Sequence, residues 1–191
     1  KLPQECIVAC SGGVDSMAIA SFLQNSKRKV HIAYFNHGTA HGDKSEDFMK
    51  EYFKDNLIIG KIKNPKHPKE SYEEYWRNER YAFLHSFDLP VVTAHHLGDQ
   101  IENWIFTSLH GNGRLIPYAN KNVIRPFMVS DKSAFVSWCE SKSVPWIDDA
   151  SNLDVKFMRN KIRQDIVPHA LVVNPGLKTV IRKKILKEIA V

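Results

Sequence analysis

Cys6-Ile7-Val8-Ala9-Cys10-Ser11-Gly12-Gly13-Val14-Asp15-Ser16-Met17-Ala18-Ile19-Ala20 changes character twice along its length. It opens as an apolar run bounded by turn residues, the pattern of a buried strand. It closes as an apolar helix pattern that continues to Leu23. Between the two, Ser-Gly-Gly-Val-Asp-Ser predicts a tight strand-to-helix turn. Adjacent glycines allow positive φ and leave no Cβ in the way of a ligand approaching the backbone. Backbone N–H groups at a helix start form an anion site, to which the Ser11 and Ser16 hydroxyls can add donors. The plainer alternative is a glycine turn with capping serines; the six-residue pattern in a strand–loop–helix setting favours a phosphate cradle.

Outward from this stretch, strand and helix patterns alternate. Val30–Phe35 reads as a second buried strand that ends at Asn36-His37-Gly38, and 43–56 as a helix capped by Asp43 or Ser45. Leu57–Ile62 is a third strand, and Pro65 and Pro68 mark a loop. Glu70–Phe87 is helical, with an apolar stripe of Tyr72, Tyr75, Trp76, Phe83 and Leu84, and Arg77 and Arg80 share a face. Leu89–Ala94 is a fourth strand followed by His95-His96; Gly98 or Asp99 opens the next helix, to about Leu109. Val123–Phe127 is a fifth strand, 131–141 a helix capped by Ser130, Val155–Ile166 a helix, and Leu177–Ala190 a basic helix. The alternation predicts an α/β, Rossmann-like, mainly parallel five-stranded sheet with helices on both faces and a small helical C-terminal segment. Two units are expected, 1–150 and a basic extension 151–191. Ligands of such sheets bind outside the carboxyl ends of the strands, and Ser11–Ser16, Asn36-His37-Gly38 and His95-His96 all fall there.

Composition is that of an ordinary globular chain: 191 residues, 43% hydrophobic and 25% charged, with no apolar run near the roughly 20 residues of a membrane span. No secretory signal pattern is read at the start. Three cysteines (Cys6, Cys10 and Cys139) without a Cys-x-x-Cys pair suit reduced core residues and a cytoplasmic location. A net charge of +6 permits a polyanionic partner, and it is concentrated at Lys61–Lys69 and in Arg182, Lys183, Lys184 and Lys187.

The loop is neither the Walker motif nor the dinucleotide fingerprint. It resembles the pyrophosphate loop of the ATP pyrophosphatases. Together with Asn36-His37-Gly38, Arg77-Asn78-Glu79-Arg80-Tyr81, Thr93-Ala94-His95-His96-Leu97-Gly98-Asp99-Gln100-Ile101-Glu102, Gly111-Asn112-Gly113, Arg125-Pro126, Asp149-Ala150-Ser151-Asn152 and Arg159-Asn160-Lys161-Ile162-Arg163 with Pro168, it resembles the tRNA(Ile)-lysidine synthetases, in their N-terminal catalytic domain alone. The resemblance implies an ATP-dependent ligase. Such an enzyme adenylates the C2 oxygen of the wobble cytidine in a CAU-anticodon isoleucine tRNA, releases pyrophosphate, and lets the amine of free L-lysine displace AMP. ATP and Mg²⁺ are the implied cofactors, tRNA and lysine the partners, and a homodimer is one way for so short a chain to complete its grip.

Carried over residue by residue, the resemblance implies that Ser11, Gly12, Gly13, Asp15, Ser16 and His37 hold the nucleotide. Asp15, His37, Arg77, Arg80 and Asp99 serve catalysis, Asp15 and Asp99 as metal ligands. His95, His96, Gln100, Glu102, Arg159, Asn160 and Arg163 face substrate and tRNA. One departure stands out: where the family has two aspartates before Gln, this chain has Gly98-Asp99, which leaves three consequences open: weaker metal binding, a different nucleophile, or poor ATP binding. An aspartate restored at 98 discriminates, since a gain in lysine-dependent AMP formation marks a weakened enzyme. Thr39-Ala40 likewise stands where the family has Leu-Arg. Two other readings keep a place: a PP-loop ligase with a different acceptor or nucleophile, and a nucleotide- or tRNA-binding relative without turnover.

Overall fold

Successive side chains of β1 (Glu5–Ala9) point to opposite faces, yet Cys6, Ile7 and Val8 are all buried, as only a strand covered on both sides allows. The structure, a computed structural model, describes residues 2–148 and 158–190. Its elements run β1, α1 (Val14–Gln24), β2 (Lys29–Asn36), α2 (Ala40–Phe53), β3 (Leu57–Lys61), α3 (Tyr72–His85), β4 (Val91–Val92), α4 (Leu97–Leu109), β5 (Ala119–Asn120), β6 (Val123–Ile124), α5 (Lys132–Ser141), α6 (Met158–Lys161), α7 (Val167–Val173) and α8 (Leu177–Ile189). The expected α/β sheet is present with six strands in the order β3-β2-β1-β4-β6-β5, all neighbours parallel except the β5–β6 pair. The expected fifth strand is the short β6, paired with a two-residue β5 that carries no apolar run to announce it. β4 is likewise cut to two residues within the expected 89–94.

Cys6 and Val8 of β1 join Met17, Ala18 and Leu23 of α1, Met49 and Phe53 of α2, and Phe135 and Cys139 of α5 in one core. On the other face Ile7, Ala33, Val91 and Val123 meet Leu84 and Phe83 of α3. A third cluster lies beside the sheet. Leu97, Ile101 and Ile105 of α4 and Leu177, Ile181 and Ile185 of α8 each recur at i, i+4 and i+8, so each helix presents one apolar ridge, and the two are buried together with Ile162. The helical residues from Met158 to Val173, with a π-turn at Ile162–Ile166, connect this layer. We propose that residues 151–191 form an appendage; among its described residues, Ile162, Leu177, Ile181 and Ile185 share their core with α4.

Four helix starts differ from expectation; α3 begins at Tyr72, two residues after Glu70, under a Ser71 cap. α2 begins at Ala40, because the Thr39 hydroxyl accepts the Gly42 N–H at 3.0 Å. α4 begins at Leu97 under a His96 cap, and α5 is capped by Asp131, whose side chain bonds none of the helix's N–H groups. In the expected α3 stripe, Tyr75 and Leu84 are buried, but Tyr72 at the first turn is 62% exposed. The Asp149–Asn152 motif and the start of the Val155–Ile166 helix lie outside the described residues.

α3 approaches β3 so closely that a Cβ at Gly60 would stand 2.7 Å from the Phe83 ring. Gly60→Ala should therefore destabilise by about 1–3 kcal/mol, read as a lower urea midpoint. An unchanged midpoint would show that the helix is not seated there.

Candidate active site

β2 and β3 lie to one side of β1, and β4 and β6 to the other, so the chain reverses direction across the sheet at the β1–β4 boundary. A crevice opens at such a switch point, outside the carboxyl ends of the strands. The Ser11–Ser16 loop leaves β1, and His95-His96 leaves β4 next to it.

The loop is braced from within. Ser16 Oγ accepts the Ser11 N–H at 3.0 Å and donates to the Gly13 carbonyl at 2.9 Å. Ser16 is thus buried and shapes the turn, while the exposed Ser11 hydroxyl remains at the rim. Of the two glycines only Gly12 has positive φ, +87°. Ile147 N–H donates to the Gly12 carbonyl at 3.0 Å, and Ile147 Cγ1 would be 3.1 Å from a Cβ there. Gly13 has φ −75° and forms the N-cap of α1, which no side chain caps. The first-turn N–H groups of α1 are thus left without a side-chain partner, the condition for holding an anion.

From Asp15 a line of charges crosses the crevice. Its Oδ2 lies 3.7 Å from Lys132 Nζ and 3.7 Å from His96 Nε2. His96 and Asp99 form a reciprocal cap: the His96 N–H donates to Asp99 Oδ2 at 2.8 Å, and the Asp99 N–H donates to His96 Nδ1 at 3.3 Å. Arg163 grips Glu102 with both arms at 2.6 and 2.9 Å and stands 4.0 Å from Asp99 Oδ1. That fork, ahead of the burial that opposes it, raises the Arg163 pKa. Burial pushes the Asp15 carboxyl up, against the pull of His96 and Lys132. Lys132 went unnoticed in the sequence; its position one residue into the helix that packs on α1 is the signal that could have found it.

Magnesium was expected on Asp15 and Asp99. Among the described residues no group of three or more His, Cys, Asp or Glu side chains is placed to hold a metal. Two carboxylates do face one crevice, however, and Asp15 Oδ1 is buried with no hydrogen-bond partner among them. That fits Mg²⁺, which binds through one or two carboxylates and completes its shell with water and phosphate oxygens.

A cationic wall flanks the crevice. Arg77 and Arg80 lie 5.1 and 5.8 Å over the Tyr81 ring, and the buried Arg125 donates to Tyr81 Oη at 2.8 Å and the Pro117 carbonyl at 2.8 Å. Burial works to raise the Tyr81 phenol, but Arg125, Arg77 and Arg80 outweigh it and hold it below its usual range. Although Arg80 keeps an open residue surface, atoms crowding its guanidinium displace water, and with Arg77, Arg159 and Arg125 nearby its proton affinity falls. Arg159 reaches Asn103 at 3.4 Å and Glu73 at 3.8 Å, spanning α4 and α3.

His37 lies at the end of β2 on an aromatic row, 5.1 Å from Phe35 and 5.8 Å from Trp76, which in turn is 5.6 Å from Tyr72. Its turn is fixed by Asn36, whose Oδ1 accepts the Gly38 N–H at 2.8 Å and whose amide donates to Glu46 at 2.7 Å. Hydrogen bonds from Asn36 and Lys50 hold Glu46 at about 2.

Four residues expected at the substrate are buried or bonded within the protein itself. Gln100 is fully buried and bonds both the N–H and the carbonyl of Ile116, at 2.8 and 2.9 Å, so it ties down the loop after α4. Asn160 is buried. Glu102 is buried under Arg163, and its carboxylate would repel phosphate. His95 turns to Thr93, with Nδ1 2.8 Å from Oγ1. Arg159 and Arg163 keep about two-fifths of their side-chain surface open, at 39% and 40%.

With this geometry established, the comparisons become informative. A PP-loop domain family matches residues 1–170. The chain belongs to the PP-loop family. It is 29% identical over 195 residues to the tRNA(Ile)-lysidine synthase of Lactiplantibacillus plantarum, covering 91% of this chain and 44% of that protein. A second, from Streptococcus pyogenes, is 31% identical over 190 residues, covering 88% and 42%. The chain thus spans less than half the length of these relatives. An NH3-dependent NAD synthetase from Campylobacter jejuni superposes with a TM-score of 0.52 at 12% identity, over 99% of this chain and 87% of that one, which shows a shared fold. The described residues include no helix long and apolar enough to cross a membrane, and all three cysteines are free and buried.

Burial holds His37 and His95 at about 4, below the ordinary 6.5, each assisted by nearby arginine. Folded, these two imidazoles are neutral, while the unfolded chain takes up protons near 6.5. Stability should then fall as pH drops from 6.5 towards 4, and Glu46 extends the loss from its unfolded value of 4.5 towards 2. An NMR titration of His37 should show no midpoint near 6.5; a midpoint there would contradict the desolvated placement.

Proposed function

We propose that the chain is the ATP-handling part of a tRNA(Ile)-lysidine synthase. In this reading it adenylates the C2 oxygen of the wobble cytidine of a CAU-anticodon isoleucine tRNA and joins the lysine amine to the activated C2, from which AMP departs. The observation that carries the reading is the line Lys132–Asp15–His96–Asp99–Arg163, which joins the pyrophosphate loop to the two elements most particular to the lysidine synthases. The likeness to relatives bearing that name, over about nine-tenths of this chain, points the same way.

The first step is the attack of the cytidine O2 on the α-phosphorus of ATP; the bond to pyrophosphate breaks, and the base carries AMP on oxygen. The lysine ε-amine then adds at C2, loses a proton, and AMP departs with the oxygen. The chain's own groups suit these needs. Main-chain N–H groups of Gly13–Asp15 and the Ser11 hydroxyl would meet the charge that grows on pyrophosphate. Asp15 and Asp99 would hold Mg²⁺, which spreads that charge when bound. Arg77, Arg80, Arg159 and Arg163 would take RNA phosphates or the extruded base, whose removal from a single-stranded loop costs little. Neutral His37, beside Trp76, offers a planar surface and an unprotonated nitrogen.

The direct test mixes the protein with ATP, Mg²⁺, lysine and the CAU-anticodon tRNA, and follows AMP with each component omitted in turn. AMP that requires both lysine and that tRNA is expected. AMP without lysine would instead favour a PP-loop ligase with another acceptor. Asp15→Ala should reduce turnover by about a hundredfold or more with a thermal midpoint close to that of the wild type, because it alters the first turn of α1 and no core residue. Full activity in that variant would remove Asp15 from the site.

A further inference from the structure

The departure at position 98 acquires a meaning once the ring of His96 is in place. A Cβ built on Gly98 would stand 2.7 Å from His96 Cε1 and 2.9 Å from His96 Nδ1, closer than real side chains come. The ring has little room to retreat. His96 is buried at 6% exposure; Nδ1 accepts the Asp99 N–H, and the ring lies 6.1 Å from that of Phe135. Because Nδ1 accepts, the neutral ring's proton sits on Nε2, the atom that faces Asp15 Oδ2 at 3.7 Å.

We infer that Gly98 is a positioning residue: by having no side chain it lets the His96 imidazole lie over the first turn of α4, between Asp15 and Asp99. The ring then does two things at once. It caps α4 and orients Asp99 through the reciprocal bonds, and it turns an N–H towards the carboxylate of the pyrophosphate loop. Where an aspartate at 98 would add a carboxylate, this chain brings a histidine between the two it has. An aspartate placed there would push the ring aside, so Gly98→Asp lowers activity, opposite to the gain that an enzyme merely short of one carboxylate would show. The inference about activity rests on the proposed function; the placement of the ring does not.

The test is a cycle of Gly98→Ala and His96→Asn, read first by thermal midpoint and imidazole ¹⁵N NMR. Asparagine caps a helix well but is too short to reach Asp15. In the wild-type background Gly98→Ala should lower the midpoint and change the His96 pattern of an unprotonated Nδ1 and protonated Nε2. In the His96→Asn background the same change should raise the midpoint, because the clash is gone and alanine favours a helix. His96→Asn alone should keep the midpoint near wild type yet lower pyrophosphate release about ten- to a hundredfold. Equal effects of Gly98→Ala in the two backgrounds, or an unchanged His96 spectrum in Gly98→Ala, would overturn the assignment. Normal turnover in His96→Asn would overturn its link to Asp15. If the cycle behaves as described but wild type forms no AMP with tRNA and lysine, the proposed function fails and the positioning stands.

Discussion

The approach of Asp15 to His96 is the contact on which the rest of the site depends. Two strands adjacent in the sheet, β1 and β4, end side by side, and the turns that follow them must share one small volume. One turn contributes a carboxylate that burial makes reluctant to ionise; the other contributes a histidine whose free N–H points at it. Lys132 from α5 lies beside Asp15 and Arg163 beside Asp99, so each carboxylate has a cation on one side and the His96 ring on the other. In a crevice with restricted water, an unpaired carboxylate would be expensive, and those flanking cations are what allow two to be gathered there. A phosphate chain entering this crevice would meet N–H donors and cations on one flank and two carboxylates, suited to a bridging cation, on the other.

Support for this arrangement comes from outside the crevice. Gln100 fastens the loop after α4, Arg125 ties β6 to α3 through Tyr81, and Glu46 fixes the turn that carries His37. Gln100 and Glu46 are buried polar groups satisfied by backbone or by an opposite partner, and Arg125 is held through both terminal nitrogens of its guanidinium, which is how such groups are tolerated in a core. The α4–α8 ridge pair has a different task. It seats the helix that carries Arg159 and Arg163, so that their guanidinium groups come to α4 from the side and remain partly open to solvent.

Much of this was legible in the sequence, and the failures have physical causes. The buried strands of β1 and β2, the Ser11–Ser16 turn and α8 follow from apolar runs and periodicity, and their positions agree closely with the structure. The strand at Val123 is readable, but its partner β5 is not, because two residues carry no period. The start of α4 was placed a residue or two late because histidine is a poor cap by residue type; it caps here only through a ring folded over a glycine. Gln100, Asn160 and Ser16 read as contacts with ligand because polar residues in a functional motif look alike in sequence. Whether such a residue faces substrate or braces the backbone depends on neighbours far along the chain, such as Ile116 for Gln100. Lys132 was invisible for the same reason, since its neighbour Asp15 is brought to it only by the packing of α5 on α1.

The most direct measurement of the central claim is a ¹H–¹⁵N NMR titration of the wild-type chain with magnesium pyrophosphate. If the phosphates are held where β1 gives way to α1, the amides of Gly12, Gly13, Val14 and Asp15 should move together and saturate, with Lys132 and the His96 ring following. Shifts confined to the lysines of α8, with the Gly12–Asp15 amides unmoved, would contradict the account, because the anion would then be bound by surface charge and not by the loop.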